Sequence, residues 1–234
     1  MSEMVKAMRI AMDEVNHDEV NDIFVDDSEE EMKSAINMAS KQVLLQAPAF
    51  ILLPQRVPAS QKNDGSIDYD AIQTQYTDGH GTLSIPDDWL RLVALKLKSW
   101  QSPLHTLMEP DSKEARMQAC RWTRGTPQKP KGMITTSPTT GKRELMYWTA
   151  GRYDANHAPL GKVYNHEVLY FTYIPYPKLE DVVDDNGNTI DQKLILPIDE
   201  ELGKDNIVYR AVSIFLTSKK ETELAEKFDQ LSQF

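Results

Sequence analysis

Two stripes of hydrophobic residues in the first 48 positions recur with the spacing of an α-helix. The first stripe consists of Met4, Met8, Ala11, Met12 and Val15. It predicts a helix of about four turns that ends near His17. The second stripe consists of Met32, Ala35, Ile36, Ala39 and Val43. Ser28 and Glu31 have the S-x-x-E spacing of a capping box, and Pro48 follows the stripe, so a second helix is expected up to about Ala47.

Between residues 49 and 197 the pattern changes to short segments rich in β-branched and aromatic residues. Strands are predicted in residues 49–57, 142–150 and 166–176. A short helix with Ser112 as its cap is predicted in residues 112–122. Asn186 and Gly187 are typical of a tight turn and predict a hairpin around them. Two long loops are expected in residues 58–81 and 125–141, which are polar or rich in Pro, Gly and Thr.

The segment SIPDDWLRLVALKLKSW, residues 84–100, fits two templates. Leu90, Val93, Ala94 and Leu97 have helical spacing, whereas the alternation of apolar and basic residues after Ala94 suits a strand. Counting matches does not decide between them. Turn signals on both sides of the segment favour a strand over residues 91–99.

After Pro197 the helical spacing returns. The hydrophobic positions are Val208, Ala211, Val212, Phe215, Leu224, Phe228 and Leu231. They predict one long C-terminal helix. The sequence therefore indicates an α+β protein. The N-terminal helices in residues 1–48 and the C-terminal helix in residues 198–234 form a helical bundle, and residues 49–197 form a large β-rich middle insertion.

Composition and charge exclude several classes of protein. With 234 residues and 40% hydrophobic content the chain can bury a core. No apolar run approaches the roughly 20 residues of a membrane helix, and the start has no signal-peptide pattern, so we expect a soluble protein that is not exported. The single cysteine, Cys120, excludes an internal disulfide and thiolate-rich metal sites. A formal net charge of −10 argues against tight, nonspecific binding to nucleic acid.

Few residues suggest catalysis or metal binding. Residues 184–191 alternate oxygen ligands, but Gly187 stands at the wrong position for a calcium loop, so a hairpin turn is favoured. His17, Asp18 and the acidic run that follows could hold a divalent metal, although the end of one helix and the start of the next explain them without chemistry. Cys120 lies in a predicted helix, where a buried small hydrophobe is at least as good an interpretation as a nucleophile. We expect no enzymatic activity, cofactor or metal.

Basic and aromatic residues form the remaining candidate site. They are Lys96, Lys98, Trp100, Arg121, Trp122 and Arg124. Such a patch could contact phosphates and stack on bases, or it could anchor a protein interface, where Trp, Tyr and Arg are enriched. The acidic net charge favours the interface. The residues assigned to a protein interface are Lys96, Lys98, Trp100, Trp122, Tyr173 and Tyr176.

Several segments resemble the head-to-tail connector, or adaptor, proteins of tailed phages, particularly those of short-tailed and crAss-like phages. They are QVLLQAPAFILLPQ, LSIPDDWLRLVALKLKSW, RWTRGTPQKPKG, and LYFTYIPYPKLED followed by LPIDEELGKDNIVYRAVSIFL. The resemblance implies a subunit of a ring, commonly twelvefold, that docks under the portal protein, extends the DNA channel and carries further neck or tail proteins. It implies assembly in the host cytoplasm and a final location in the neck of the virion.

The resemblance also implies roles for particular residues. Family members often place the C-terminal helix or tail against the portal, which points to Leu224, Phe228, Leu231 and Phe234. In the strand of residues 91–99, Val93, Leu95 and Leu97 would face inward, and Lys96 and Lys98 would face solvent or a neighbouring subunit. A lumen lined with carboxylates would repel phosphates and let DNA pass. Heterologous contacts would close the ring, with the two long loops as interacting parts.

Two other functions stay open. A metal-dependent hydrolase using His17 and Asp18 would hold a stoichiometric divalent ion. A nucleic-acid-binding module using Lys96, Lys98 and Trp122 would bind with a steep dependence on salt.

Overall fold

The structure is a computed structural model that describes residues 1–15, 29–56, 60–61, 67–68, 74–77, 80–120, 122–149, 168–183 and 189–233. The helices are α1 (Ser2–Val15), α2 (Glu29–Gln46), α3 (Lys113–Met117), α4 (Glu200–Ser218) and α5 (Thr222–Leu231), with a short 3-10 helix at Ala49–Ile51. The strands are β1 (Gln55–Arg56), β2 (Ser60–Gln61), β3 (Ile67–Asp68), β4 (Thr74–Thr77), β5 (His80–Ser84), β6 (Trp89–Leu97), β7 (Lys131–Thr136), β8 (Arg143–Trp148), β9 (Val168–Pro175), β10 (Lys178–Val183) and β11 (Thr189–Ile195). The protein is α+β, as predicted.

The chain divides into two compact units. The helical unit comprises residues 1–53 and 175–234, and the β-rich unit comprises residues 54–174. The sequence placed the end of the insertion at residue 197. The difference is the hairpin of β10 and β11, which falls within the helical unit, where the Ser2 hydroxyl donates to Asp191 Oδ1 at 2.9 Å.

In the helical unit, α4 packs against α1, α2 and α5. The two predicted N-terminal stripes face this core: every described side chain of both stripes is buried, including Met8, Met12, Met32 and Ile36. Phe215 of α4 is also fully buried. Both N-terminal helices are therefore confirmed. Each buries one face, as the spacing of its hydrophobic residues indicated. The Ser28 cap lies outside the described residues.

The predicted single C-terminal helix is wrong, because α4 and α5 are separate helices. Lys220 between them has φ of 70°, and its N–H donates to the carbonyl of Thr217 at 3.1 Å. The N–H of Glu221 donates to the carbonyl of Leu216 at 3.0 Å. These two bonds form a Schellman motif, which ends a helix and usually has glycine at the left-handed position. With Lys instead of Gly at position 220, the sequence carries no signal of the break.

The β-rich unit contains an antiparallel sheet with strand order β4-β5-β8-β7, a three-stranded sheet with order β1-β9-β6, and the pair β2-β3. Buried side chains of β5, β6, β8 and β9 form its core. The strand predicted at residues 91–99 is confirmed as β6, and those predicted at 142–150 and 166–176 as β8 and β9. In β6, Leu92 and Ala94 are buried in addition to Leu95 and Leu97, while Val93 is half-buried. Both faces of β6 are therefore largely covered, rather than the one face that the alternation indicated.

Three predictions of local structure need correction. Ala49–Ile51 form a 3-10 helix rather than the start of a strand. The expected loop at 125–141 contains β7, which pairs with β8 over six residues. The expected loop at 58–81 contains β2, β3 and β4. The strands β10 and β11 confirm the predicted hairpin, although its turn, residues 184–188, lies outside the described residues. Among the helices that the structure describes, none has the length and apolar character needed to cross a membrane.

Candidate interaction surfaces

Trp100 and Tyr173, two of the predicted interface residues, lie in the core of the β-rich unit. Each is only 3% exposed. Trp100 packs edge-on against Tyr147, with ring centroids 5.6 Å apart. Tyr173 packs beside Phe171 at 5.9 Å, and its hydroxyl donates to Asp88 Oδ1 at 2.9 Å. The prediction of interface contacts for these two residues is wrong for this fold, because neither ring is on the surface.

The environment of Tyr173 predicts a loss of stability at alkaline pH. Burial, and then the hydrogen bond to Asp88, raise the pKa of Tyr173 to about 12 from its ordinary value of 10.0. The folded state therefore favours the neutral phenol, so this stabilisation is complete below pH 10 and is lost as pH rises towards 12. We expect Tyr173→Phe to cost about 1 kcal/mol at pH 7, because a buried hydrogen bond is lost. The deficit should shrink above pH 10, since phenylalanine cannot ionise. Urea unfolding of both proteins from pH 7 to 12 measures it; a constant difference would contradict the shifted pKa.

The predicted portal-docking residues at the C-terminus differ in exposure. Phe228 is buried in α5, with its ring 6.2 Å from that of Tyr209 on α4, so it cannot contact a partner in this conformation. This corrects the assignment of Phe228. Leu224 is half-buried, and Leu231 is 52% exposed. Phe234 lies outside the described residues.

Lys96 and Lys98 do not form one patch with Trp100. Lys96 is half-buried on β6, Lys98 is exposed just after it, and the indole that was expected to join them is in the core. Tyr176, in the helical unit, is half-buried, with the Lys41 ammonium 5.7 Å from its ring centroid. The basic-aromatic patch predicted from sequence is therefore not assembled from these members.

Of the aromatic residues predicted at the interface, Trp122 is the one that the structure places on the surface. Its side chain is 82% exposed, and it follows α3 in a tightly bonded turn. Gln118, only 3% exposed, holds that turn from inside: its Nε2 donates to the carbonyl of Glu114 at 3.0 Å, and its Oε1 accepts from the N–H of Gly125 at 2.9 Å. The Arg124 Nε donates to the Gln118 carbonyl at 2.9 Å. The indole is thus presented on a fixed scaffold, and the sequence contained no signal of the buried glutamine that fixes it.

Basic residues lie on α3 and in the turn that contains Trp122, and the one carboxylate of α3, Glu114, is paired with Lys131. Lys113, Arg116 and Met117 lie on α3 at helical spacing, and all three are exposed. Arg124, which is half-buried, lies two residues beyond the indole. The Thr123 hydroxyl bonds to the carbonyl of Met117, which ties the turn to the end of α3. We call these residues, Lys113, Arg116, Met117, Trp122 and Arg124, the Trp122 surface. It combines two large apolar side chains with three cations.

The helical unit has a groove of a different chemistry. Its floor is α4, and its walls are α2 and α5. One lobe, of about 430 Å³, is lined by Gln42, Arg210, Ser213, Ile214, Thr217, Thr222, Ala225, Glu226 and Asp229. The other, of about 280 Å³, is lined by Glu31, Ser34, Ala35, Met38, Ile214, Phe215, Ser218 and Lys219. The lobes share Ile214 and therefore adjoin, and we call them together the three-helix groove.

The cations in the three-helix groove are already neutralised within it. Arg210 forms an ion pair with Asp229, and its Nε donates to Gln42 Oε1 at 2.8 Å. Lys219 pairs with Glu31 at 2.5 Å. Met38 is 51% exposed on one wall, and Glu226 is exposed on the other. The groove therefore offers apolar contact and acidic character without an uncompensated positive charge.

Charge is divided between the two units of the chain. The segments of the helical unit contain 24 acidic and 11 basic residues, a formal charge of −13, and the segment of the β-rich unit contains 12 acidic and 15 basic residues, a charge of +3. The net charge of −10 is therefore the sum of two units of opposite charge. The Trp122 surface belongs to the positive part and the three-helix groove to the negative part.

No cluster of His, Cys, Asp and Glu that could hold a metal ion is found in the described part of the chain. His17 and Asp18 of the hydrolase hypothesis lie outside that part, as do residues 184–188 of the calcium hypothesis. Cys120 is exposed and lies beyond the end of α3, so its interpretation as a buried residue in a helix is wrong. A hydrogen bond from the backbone of Trp122 lowers the pKa of the Cys120 thiol.

No protein-family model matches this chain, and a search of curated proteins finds no match either.

Proposed function

We propose that this protein is a structural subunit of a closed homo-oligomeric ring, the connector between the portal and the tail of a phage. The observation that carries the proposal is the presence, on one chain, of two different surfaces in parts of opposite charge. Head-to-tail association needs two such surfaces, and it gives a ring when the rotation between neighbours closes. The sequence resemblance to phage connectors adds the location and the partners. Neither catalysis nor a cofactor has a place in this proposal.

The acidic excess fits a channel for DNA. Tight binding to DNA requires cations that displace counterions from phosphates, and the helical unit carries an excess of carboxylates instead. A ring whose lumen presents such carboxylates would let duplex DNA slide through without adhering. The proposed partners are therefore other copies of this chain, the portal, further neck or tail proteins, and DNA that passes without tight binding.

The test is the solution mass of the purified protein, alone and mixed with portal rings of the same phage, with both samples imaged by electron microscopy. We expect a closed ring, commonly twelvefold in such connectors, or a monomer that assembles only on the portal. A protein that stays monomeric at high concentration and ignores the portal overturns the proposal. Stoichiometric divalent metal in that monomer would favour a hydrolase instead.

Leu231, exposed at the end of α5, tests the portal contact. Leu231→Asp should weaken binding to portal rings at least tenfold, because a carboxylate would enter an apolar contact. Ile10→Asp is the matched control, since Ile10 is 58% exposed on α1 of the same unit. Equal binding by Leu231→Asp and the native protein would remove the C-terminus from the portal interface.

A further inference from the structure

We propose that the Trp122 surface of one copy docks into the three-helix groove of a second copy. This contact adds residue-level detail to the proposed function and rests on it in one respect, because the ring closes only if the same contact repeats from copy to copy. It names the two surfaces of the heterologous interface by residue, which neither the sequence pattern nor the resemblance does.

The first reason is the fixed presentation of Trp122. A tryptophan that is 82% exposed leaves a large apolar surface in water, and exposed aromatic residues beside arginine are typical of interface hot spots. Buried Gln118 bonds the turn on both sides of the indole, to Glu114 and to Gly125. Little conformational entropy then remains to be lost on binding, because the turn is already ordered.

The second reason is the shape and composition of the three-helix groove. One stripe from each of α2, α4 and α5 lines it, with Lys219 directly after α4, so its walls are formed mainly by helices. The larger lobe, about 430 Å³, has room for an indole ring. Ile214 and Met38 supply apolar contact, while Arg210 and Lys219 are paired with Asp229 and Glu31 and so do not oppose an incoming cation.

The third reason, which selects a second copy as the occupant, is charge complementarity. The Trp122 surface contains three cations and belongs to a unit whose total charge is +3, and the groove lies in a unit of charge −13. Opposite potentials steer two copies into head-to-tail contact and oppose the pairing of identical surfaces. Since the two surfaces are different, one contact leaves a free surface at each end of a dimer, so association continues until the ring closes.

Two variants, each defective on one surface, test this contact. The double variant Trp122→Ala, Arg116→Glu, called the Trp122 variant below, removes the exposed indole and reverses one charge of the Trp122 surface. Met38→Lys places a cation in the groove wall. Both change exposed side chains, so circular dichroism should show native folding. Each alone should associate about thirtyfold more weakly or worse, the loss that corresponds to a hot spot of 2 kcal/mol or more. Sedimentation velocity, with and without portal rings, measures the mass.

The mixture of the two variants gives the sharpest result. It contains one intact groove and one intact Trp122 surface, which can meet once. We expect the mixture to form dimers and nothing larger, whereas the native protein assembles further. Controls with the same chemistry elsewhere are Leu169→Ala with Lys142→Glu in the β-rich unit and Ile10→Lys in the helical unit, all at exposed positions. These should assemble like the native protein.

Cys120 offers an independent measurement that needs no substitution. It is the single cysteine of the chain, it is exposed, and it precedes Trp122 by two residues. Its rate of reaction with a maleimide should fall at least tenfold when native protein assembles, and should not fall in samples of the Trp122 variant at the same concentration.

Several outcomes overturn the contact. Rings formed by the Trp122 variant or by Met38→Lys with native affinity, or an unchanged Cys120 reaction rate, refute it and leave the connector proposal intact. A native chain that is monomeric with and without portal refutes both. Binding of a fluorescent single-stranded oligonucleotide that is steeply salt-dependent and lost in the Trp122 variant, with no change in mass, assigns the surface to nucleic acid and refutes the contact as well.

Discussion

Trp100→Ala should lower the free energy of unfolding of the β-rich unit by about 3–5 kcal/mol, whereas Trp122→Ala should change it by less than about 0.5 kcal/mol. The two positions carry the same residue type at 3% and 82% exposure. Removal of the buried indole leaves a cavity beside Tyr147, with which it makes an edge-on contact at 5.6 Å. Removal of the exposed indole leaves no cavity, because water already surrounds most of it.

Intrinsic tryptophan fluorescence measures the unfolding of the β-rich unit selectively, and so compares the stabilities of the two variants. All four tryptophans of the chain, at positions 89, 100, 122 and 148, belong to the β-rich unit, so the fluorescence change on urea unfolding follows that unit. Far-ultraviolet circular dichroism follows the helices and shows whether the helical unit is affected. A native midpoint for Trp100→Ala would mean that Trp100 is not a core residue, and would restore it to the interface.

Trp100 and Trp122 also show why the sequence could locate only part of the candidate site. Trp100 follows Lys98, and Trp122 stands between Arg121 and Arg124. Because each tryptophan has basic neighbours in the sequence, local composition predicts that both are exposed interface residues. What separates them is nonlocal. Trp100 meets Tyr147 of β8, 47 residues along the chain, and Trp122 lies in a turn that the side chain of Gln118 bonds to Glu114 and to Gly125. Neither relationship has a spacing that a sequence pattern reveals.

The same distinction applies to the fold. Helices α1 and α2 were predictable because burial of one face imposes a period that is visible within one segment. Strand β7 was not, since its residues KGMITT are mostly half-buried, show no alternation, and depend on pairing with β8. The end of α4 was hidden because Lys220 adopts a backbone conformation that glycine usually signals. Phe228 kept its helical spacing, but spacing does not say whether the face it marks meets a neighbouring helix or a partner protein.

Gly81→Ala should destabilise the β-rich unit by about 2–3 kcal/mol through a steric clash. Gly81 on β5 pairs directly with Tyr147 on β8. A Cβ atom at position 81 would lie 2.3 Å from both Cζ and the hydroxyl oxygen of Tyr147. Tyr147 is fully buried and packs against Trp100, so its ring cannot move aside without loss of core contacts.

A double-mutant cycle with Tyr147→Leu isolates the clash. Shortening the side chain removes the atoms that the new methyl group would meet, so Gly81→Ala should cost at least about 1 kcal/mol less in the Tyr147→Leu background. Gly141→Ala is the control, because Gly141 has φ of +67° but no atom within 4 Å of an added Cβ. Its cost, about 1 kcal/mol from backbone strain, should be the same in both backgrounds. Equal costs of Gly81→Ala in the two backgrounds would mean that Tyr147 does not cover this glycine. The aromatic pair at the centre of the β-rich core would then need a different arrangement.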